Sequence, residues 1–265
     1  MWRLAVVGNL AIDVVDGRAP RPGGGPFHCA RALRALGVPA VVATQCAAED
    51  RRALVPPLVA LGVPVAWRPA QATAAFTIRY SGEARSMTVD GLGDPWTPDD
   101  ARDWIAGTVR RSEWVHAAGL ARSDFPAESL AELARGRRLS LDGQALVRPA
   151  RTGPLELDAD FDPAVLEHVS LLKLAEEELE ATGHEPADFG VPEVLVTRGS
   201  RGSLVYAGGR VEEVRARPVD GADLTGSGDA FVATYLAARA AGQRPVTAAR
   251  RATALVFGLL AGLMA

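Results

Sequence analysis

The sequence predicts an α/β protein with a mostly parallel sheet covered by helices on both faces and a small β lid. Three observations carry this. Short apolar runs alternate with stretches of helical spacing along most of the chain. The 27 glycines and 18 prolines of its 265 residues mark the junctions rather than clustering in one tract. One segment, residues 73–92, breaks the rhythm with two period-two runs about Ser81-Gly82, the pattern of a hairpin that projects from a sheet.

In order, residues 3–8 form an apolar strand ending at Gly8, followed by Asn9–Asp13 and a polar turn through Pro20, Pro22 and Gly23–Gly25. Helical spacing runs from Pro26 to Leu36, and Gly37 with Pro39 supplies the stop. Residues 41–44 and 63–67 read as strands around a helix at 49–61. After the hairpin come helices at 98–110 and 126–136 and strands at 113–117 and 138–142. Strands fit again at 169–173, 194–197 and 202–206, with helices at 175–182, 229–241 and 245–262. Residues 1–265 thus read as a single domain with lid segments at about 10–20 and 70–92. A two-stranded flap is marginal in water, so residues 10–20 or the lid of a second copy should complete its sheet, which makes the lid the surface for a homodimer.

Composition excludes several classes. A net charge of -3 argues against nucleic acid and against a membrane surface. The uncharged stretch 252–265 is too short to span a bilayer and reads as a core helix, and the N-terminus reads as a strand rather than a leader. Cys29 and Cys46 are too few for a disulfide framework, which makes a reduced, cytoplasmic protein the expectation. His116, His168 and His184 lack partners at metal-ligand spacing. Lys173 is the only lysine, and no glycine loop precedes it, so neither a P-loop nor a protein-kinase lysine is available.

Chemistry concentrates in Asp223-Leu224-Thr225-Gly226-Ser227-Gly228-Asp229-Ala230-Phe231, which opens an apolar helix. Glycines allow close approach of a ligand, and the first amides of a helix are unpaired donors at its positive end. Gly226, Ser227 and Gly228 therefore form an anion hole, and Asp229 is placed to take a proton from a hydroxyl attacking a phosphoryl group. The plainer alternative is a glycine turn with an aspartate that only complements the helix dipole. A dinucleotide site is excluded because Phe231 stands at the third glycine position of that fingerprint.

These residues resemble the ribokinase-like, or PfkB, family of carbohydrate kinases, whose signature reads Asp-Thr-x-Gly-Ala-Gly-Asp, with Leu224 and Ser227 as departures. Pro22-Gly23-Gly24-Gly25-Pro26-Phe27-His28 resembles the same family's Gly-Gly-x-x-x-Asn signature, with His28 in the asparagine position. The resemblance implies a three-layer αβα core, Asp229 as catalytic base, and acceptor binding by Asp13, Gly24, Gly25 and His28. Without it, His28 reads as a helix histidine packed beside Cys29 and Asp13 as a polar strand residue. The resemblance further assigns Thr197, Gly199 and Thr225 to the nucleotide. Lys173-Leu174-Ala175-Glu176-Glu177-Glu178 is similar to the family's Asn-x-x-Glu, with Ala175 for asparagine. Glu178 is then the residue that orders water around magnesium; a solvated acidic helix start is the alternative. Asp142-Gly143-Gln144 with Arg148 matches loosely a further strand-end motif, and together these departures suggest an inositol-kinase-like branch.

The function implied is transfer of the terminal phosphoryl group of ATP, with Mg2+, to a hydroxyl of a small sugar or polyol, inositol-like or pentose-like. A nucleoside kinase, or a non-catalytic member that binds nucleotide or sugar and regulates a partner, is the alternative. The family's monovalent-cation loop would follow the last helix, near Ala265, so potassium activation is not carried over.

Overall fold

Leu4–Asn9 is buried on both sides, and its alternation feeds two cores: Leu4 and Val6 join one apolar cluster, Ala5 and Val7 the other. That is the behaviour of a central strand in a sheet covered on both faces, where a near-continuous apolar run replaces inside-outside alternation. The computed structural model describes residues 3–81, 84–219 and 221–263. Trp2 and the hairpin residue Gly82 lie outside them.

The strands in chain order are β1 (Leu4–Asn9), β2 (Ala11–Val15), β3 (Arg21–Gly23), β4 (Ala40–Ala47), β5 (Val65–Ala70), β6 (Ala74–Ser81), β7 (Ala84–Gly91), β8 (Trp114–Ala117), β9 (Arg138–Asp142), β10 (Gly153–Pro154), β11 (Val169–Ala175), β12 (Glu193–Thr197), β13 (Ser203–Ala207) and β14 (Arg210–Val214). Among the described residues the main sheet runs β14-β13-β12-β11-β9-β8-β1-β4-β5. Its strands run parallel except β13, which returns antiparallel between β12 and the edge strand β14. β14 escapes the sequence reading because Arg210-Val211-Glu212-Glu213 carries an exposed, charged edge strand with little apolar pattern.

Helices Gly25–Leu36, Ser227–Ala240 and Pro245–Leu260 contribute to the core on one face of this sheet. Ala127–Ala134 and the 98–109 segment contribute to the core on the other. The Gly25–Leu36 helix has Pro26 in its first turn and ends at Gly37 in the left-handed region, φ 62°, whose N–H bonds back to Arg34 O. No helix among the described residues is long and apolar enough to cross a membrane.

The hairpin β6–β7 belongs to a second sheet, β10-β7-β6-β2-β3. β2 pairs parallel with β6 and antiparallel with β3, so residues around Asp13 complete the flap within one chain. On the face shared by Asp13, Phe76 and Val89 the three side chains are buried. Among the contacts that join this sheet to the main body, Tyr80 Oη lies 3.1 Å from Thr225 Oγ1, Arg85 reaches Glu177 at 3.3 Å and Arg21 reaches Asp223 at 2.6 Å.

Candidate active site

The Asp223–Gly226 turn brings the chain into the Ser227–Ala240 helix through Gly226, whose φ of 77° is left-handed. A Cβ there would fall 2.2 Å from Cγ and Nδ1 of His28, so both conformation and space require glycine. The Ser227 N–H donates to Leu224 O at 3.0 Å and that of Ala230 to Gly226 O at 2.9 Å. The amides of Gly228 and Asp229 remain as the helix's open donors among the described residues, at the positive end of its dipole. Of the three residues expected to supply the donors, Ser227 uses its amide to close the turn instead.

Asp229 is half-buried in the first turn of this helix and faces the other glycine motif. A Cβ on Gly25 would lie 3.2 Å from Asp229 Oδ1 and 2.5 Å from Ala118 Cβ, so bare backbone packs beside the carboxylate. Gly24, with φ 88°, begins the first helix; a Cβ there would be 2.5 Å from Asn9 O. Cys29 Sγ donates to the Asp229 carbonyl at 3.5 Å, tying the two helices at the level of the site. Asp13, buried on β2, has Oδ2 3.9 Å from His28 Nε2. His28 is only 6% exposed, and its Nε2 is buried without a protein partner. Asp13, Gly24, Gly25, His28 and Asp229 therefore converge, although more than 200 residues separate the ends of the set in the sequence.

The residue missed in the sequence is Lys173. It lies on β11, 3% exposed, with Nζ 3.5 Å from Asp142 Oδ2 and 3.9 Å from Glu178 Oε2. Its ammonium also sits 3.1 Å from where a Cβ on Gly228 would be, directly behind the open amides. Arg148, equally buried, has Nη2 3.9 Å from Glu178 Oε1. Burial pushes Asp142 above the usual carboxylate range, with Lys173 opposing. Burial would raise Glu178 as well, but Lys173 and Arg148 outweigh it and hold its carboxyl low. Lys173 itself is raised, its carboxylate neighbours overcoming desolvation. Buried His116, beside Ser140 Oγ at 3.2 Å, is driven down to about 3 by desolvation and then by Lys173, so it is neutral. Glu178 Oε2 accepts the Ala175 N–H at 2.7 Å, a helix cap that Ala175 cannot supply from its own side chain. The solvated reading of Glu178 fails, since it is 1% exposed.

A cleft of about 530 Å³ beside the glycine turn is lined by Thr197, Gly199, Ser227 and Gly228 together with the apolar Val256 and Phe257. Thr225 does not line it: this residue borders a separate cavity of about 280 Å³ and spends its hydroxyl on Tyr80. Its partner Tyr80 lines the larger cleft. Among the described residues no three acidic, histidine or cysteine side chains cluster as a metal cage.

The family model for pfkB family carbohydrate kinases matches residues 20–255. A fructokinase of Salmonella thompson is 32% identical over 147 residues, 50% of this chain and 66% of that protein. The chain spans between 48% and 66% of the length of the fructokinases it matches. Among solved structures, a pyrophosphate-dependent kinase in the ribokinase family, complexed with a pyrophosphate analog and myo-inositol, superposes with TM-score 0.84 at 26% identity, covering 97% of this chain and 94% of that one. A ribokinase from Thermotoga maritima superposes at TM-score 0.72 and 18% identity, over 98% and 93%, a likeness of fold alone.

Proposed function

We propose, from the premise that this chain belongs to the pfkB family of carbohydrate kinases, that it transfers the terminal phosphoryl group of ATP to a hydroxyl of a small sugar or polyol, inositol-like or pentose-like. The observation that carries this is the single helical turn holding Asp229 and the open amides, whose Gly226 packs on His28, beside Asp13, and whose Gly228 lines the 530 Å³ cleft. An acceptor hydroxyl held by Asp13 and His28 Nε2 lies next to the Asp229 carboxylate, which takes its proton as the oxygen attacks. The Gly228 and Asp229 amides and Lys173 Nζ receive the charge that develops on the transferring group. Thr197 and Gly199 line the cleft for the phosphates, and its size and apolar residues suit a nucleoside.

Magnesium bound with ATP would spread the phosphate charge and align the terminal group. The chain offers Glu178 Oε1 and Asp142 Oδ2, both buried without a hydrogen-bond partner, to its water shell, a donor set that fits an ion carried mainly by phosphates.

A second reading, pyrophosphate as donor, is favoured by one observation. Two buried cations, Lys173 and Arg148, stand beyond the glycine turn where a small second phosphate would need fixed charge. The structural similarity to a pyrophosphate-dependent kinase supports it.

Both are tested on one panel of inositols, pentoses, hexoses and nucleosides, with ATP and pyrophosphate as donors and the phosphorylated acceptor as readout. Turnover with ATP should exceed that with pyrophosphate by about tenfold or more, a difference of roughly 1.4 kcal/mol in barrier. The reverse ratio establishes the second reading, and no phosphorylated acceptor with either donor removes both.

On the acceptor side, His28→Asn should keep turnover on some acceptor while reordering preference among polyols. His28→Ala should weaken acceptor binding by roughly 1–3 kcal/mol through an unpaired substrate hydroxyl. Unchanged KM values for every acceptor in both variants would return His28 to a packing role.

A further inference from the structure

The glycine turn is tied to the acceptor-binding strands by one guanidinium. Arg21 lies on β3, opposite Asp13 in the antiparallel register with β2, and two residues before Gly23-Gly24-Gly25. Its Nη1 reaches Asp223 Oδ2 at 2.6 Å. The other Asp223 oxygen accepts the Thr225 N–H at 3.0 Å, so one carboxylate braces the run into Gly226 from the lid side and from within. Thr225 receives the second tie, from Tyr80 on β6. Both ties come from the sheet that carries Asp13.

The pair is a charged one. Despite partial desolvation, which favours the neutral acid, the Arg21 and Thr225 bonds hold the largely exposed Asp223 down to about 2, and the Asp223 hydrogen bond raises Arg21 in turn. Arg21 Nε is buried without a partner, so the guanidinium is held chiefly by Asp223. The proton transfer and charge stabilisation assigned above leave Arg21 without a part. Its position nevertheless joins the strand beside Asp13, through one ion pair, to the turn that leads into the open amides.

We infer that Arg21 is a positioning residue that couples acceptor binding to assembly of the anion hole. With β2 and β3 seated around an acceptor, Arg21 fixes Asp223–Thr225, and the Gly228 and Asp229 amides converge on the phosphoryl group. Without an acceptor the tie holds the turn less fully, which restrains the wasteful reaction. In that reaction the bond from the terminal phosphorus to the leaving oxygen breaks, a bond to water oxygen forms, and the water proton passes to Asp229. The inference rests on the phosphoryl-transfer reading of Asp229 and the glycine turn.

The experiment compares wild type, Arg21→Ala and Arg21→Lys in two measurements. The first is the ratio of acceptor phosphorylation at saturating acceptor to donor hydrolysis without acceptor, using the best pair from the panel. Arg21→Ala should lower that ratio by about tenfold, a coupling typical of linked sites, with acceptor KM changed by less than about threefold. Arg21→Lys should fall between, because a point charge replaces the fork only in part. Guanidinium ion at about 50 mM, far below the molar range that unfolds proteins, should restore part of the ratio in Arg21→Ala. The second measurement is calorimetric titration with sulfate, a tetrahedral oxyanion, which needs no turnover. Arg21→Ala should bind it about fivefold or more weakly than wild type. An unchanged ratio with lowered thermal stability would make Arg21 structural and overturn the inference. Equal sulfate affinity in wild type and both variants would overturn it even if no acceptor were phosphorylated, an outcome that by itself counts only against the phosphoryl-transfer reading.

Discussion

Asp229→Asn should keep the fold and the affinity for the donor and lower turnover by roughly 10²–10⁴, the range supplied by a positioned general base. Asparagine has the shape of aspartate, so it fits the space left by Gly25, and the bond from Cys29 Sγ goes to the Asp229 carbonyl, which the substitution leaves in place. The amides of residues 228 and 229 also stay, so the anion hole keeps its donors. What disappears is the acceptor for the proton of the attacking hydroxyl. That proton moves only in the transition state, so kcat and kcat/KM should fall together while acceptor KM holds. Steady-state rates on the best acceptor, with calorimetric titration of the donor, check this. Turnover within about threefold of wild type would take Asp229 out of the mechanism, since the loss of a base is worth at least a hundredfold. Loss of donor binding in parallel would instead make the carboxylate part of the helix-dipole arrangement.

The sequence could show Asp229 because the feature is local: Gly226, Gly228 and Asp229 lie within one turn, and their geometry is written in consecutive residues. The Gly24–His28 motif is legible for the same reason, since a left-handed Gly24 and Pro26 in the first turn define a helix start without help from elsewhere. Lys173 is different. It stands in Leu171-Leu172-Lys173-Leu174, an apolar strand, and nothing within several residues explains a cation there. Only the parallel pairing of β11 with β9, which sets Lys173 opposite Asp142, brings its charge partners together and lines them up behind Gly228. A lone lysine in an apolar strand of an otherwise lysine-free chain is the available signal, and P-loop and protein-kinase patterns do not reach it. Thr225 joins a local signature to a distant partner. Its place in a nucleotide signature is local, but its hydroxyl is claimed by Tyr80, a residue on the lid sheet that no pattern in 223–229 could reveal. Arg21 likewise reads as a turn residue until β3 sets it beside β2 and within reach of Asp223.

Replacing Lys173 by methionine should be the most damaging single change at the site, because it acts on both stability and turnover. The side chain is 3% exposed, and its removal strips Asp142 of its cation and leaves Glu178 with Arg148 at 3.9 Å. Breaking a buried pair by removing one partner costs roughly 3–5 kcal/mol, since the remaining charge stays desolvated. The variant can relieve that cost by protonating the carboxylates. Burial already pushes Asp142 up against the opposition of Lys173, so losing the lysine raises it further, and Glu178 rises with it. A carboxyl with a folded pKa above its unfolded one binds more protons in the folded state across that interval, and stability then falls as pH rises through it. The thermal deficit of Lys173→Met against wild type should therefore shrink from pH 8 to pH 5. Asp223 runs the other way: held at about 2, it contributes stability above the unfolded carboxylate range that is lost only as pH falls toward that value. Turnover should behave differently from stability. The ammonium behind Gly228 stabilises charge on the transferring group, and its loss should cost roughly 10²–10³ in kcat that acid does not recover, because protonating Asp142 places no cation at the amides. Lys173→Arg should not restore full activity, since a planar guanidinium does not place its charge as the buried ammonium does. Melting curves at the two pH values, run with single-turnover rates, separate the two effects. A pH-independent deficit with wild-type kcat would leave Lys173 as a packing residue and remove it from phosphoryl transfer.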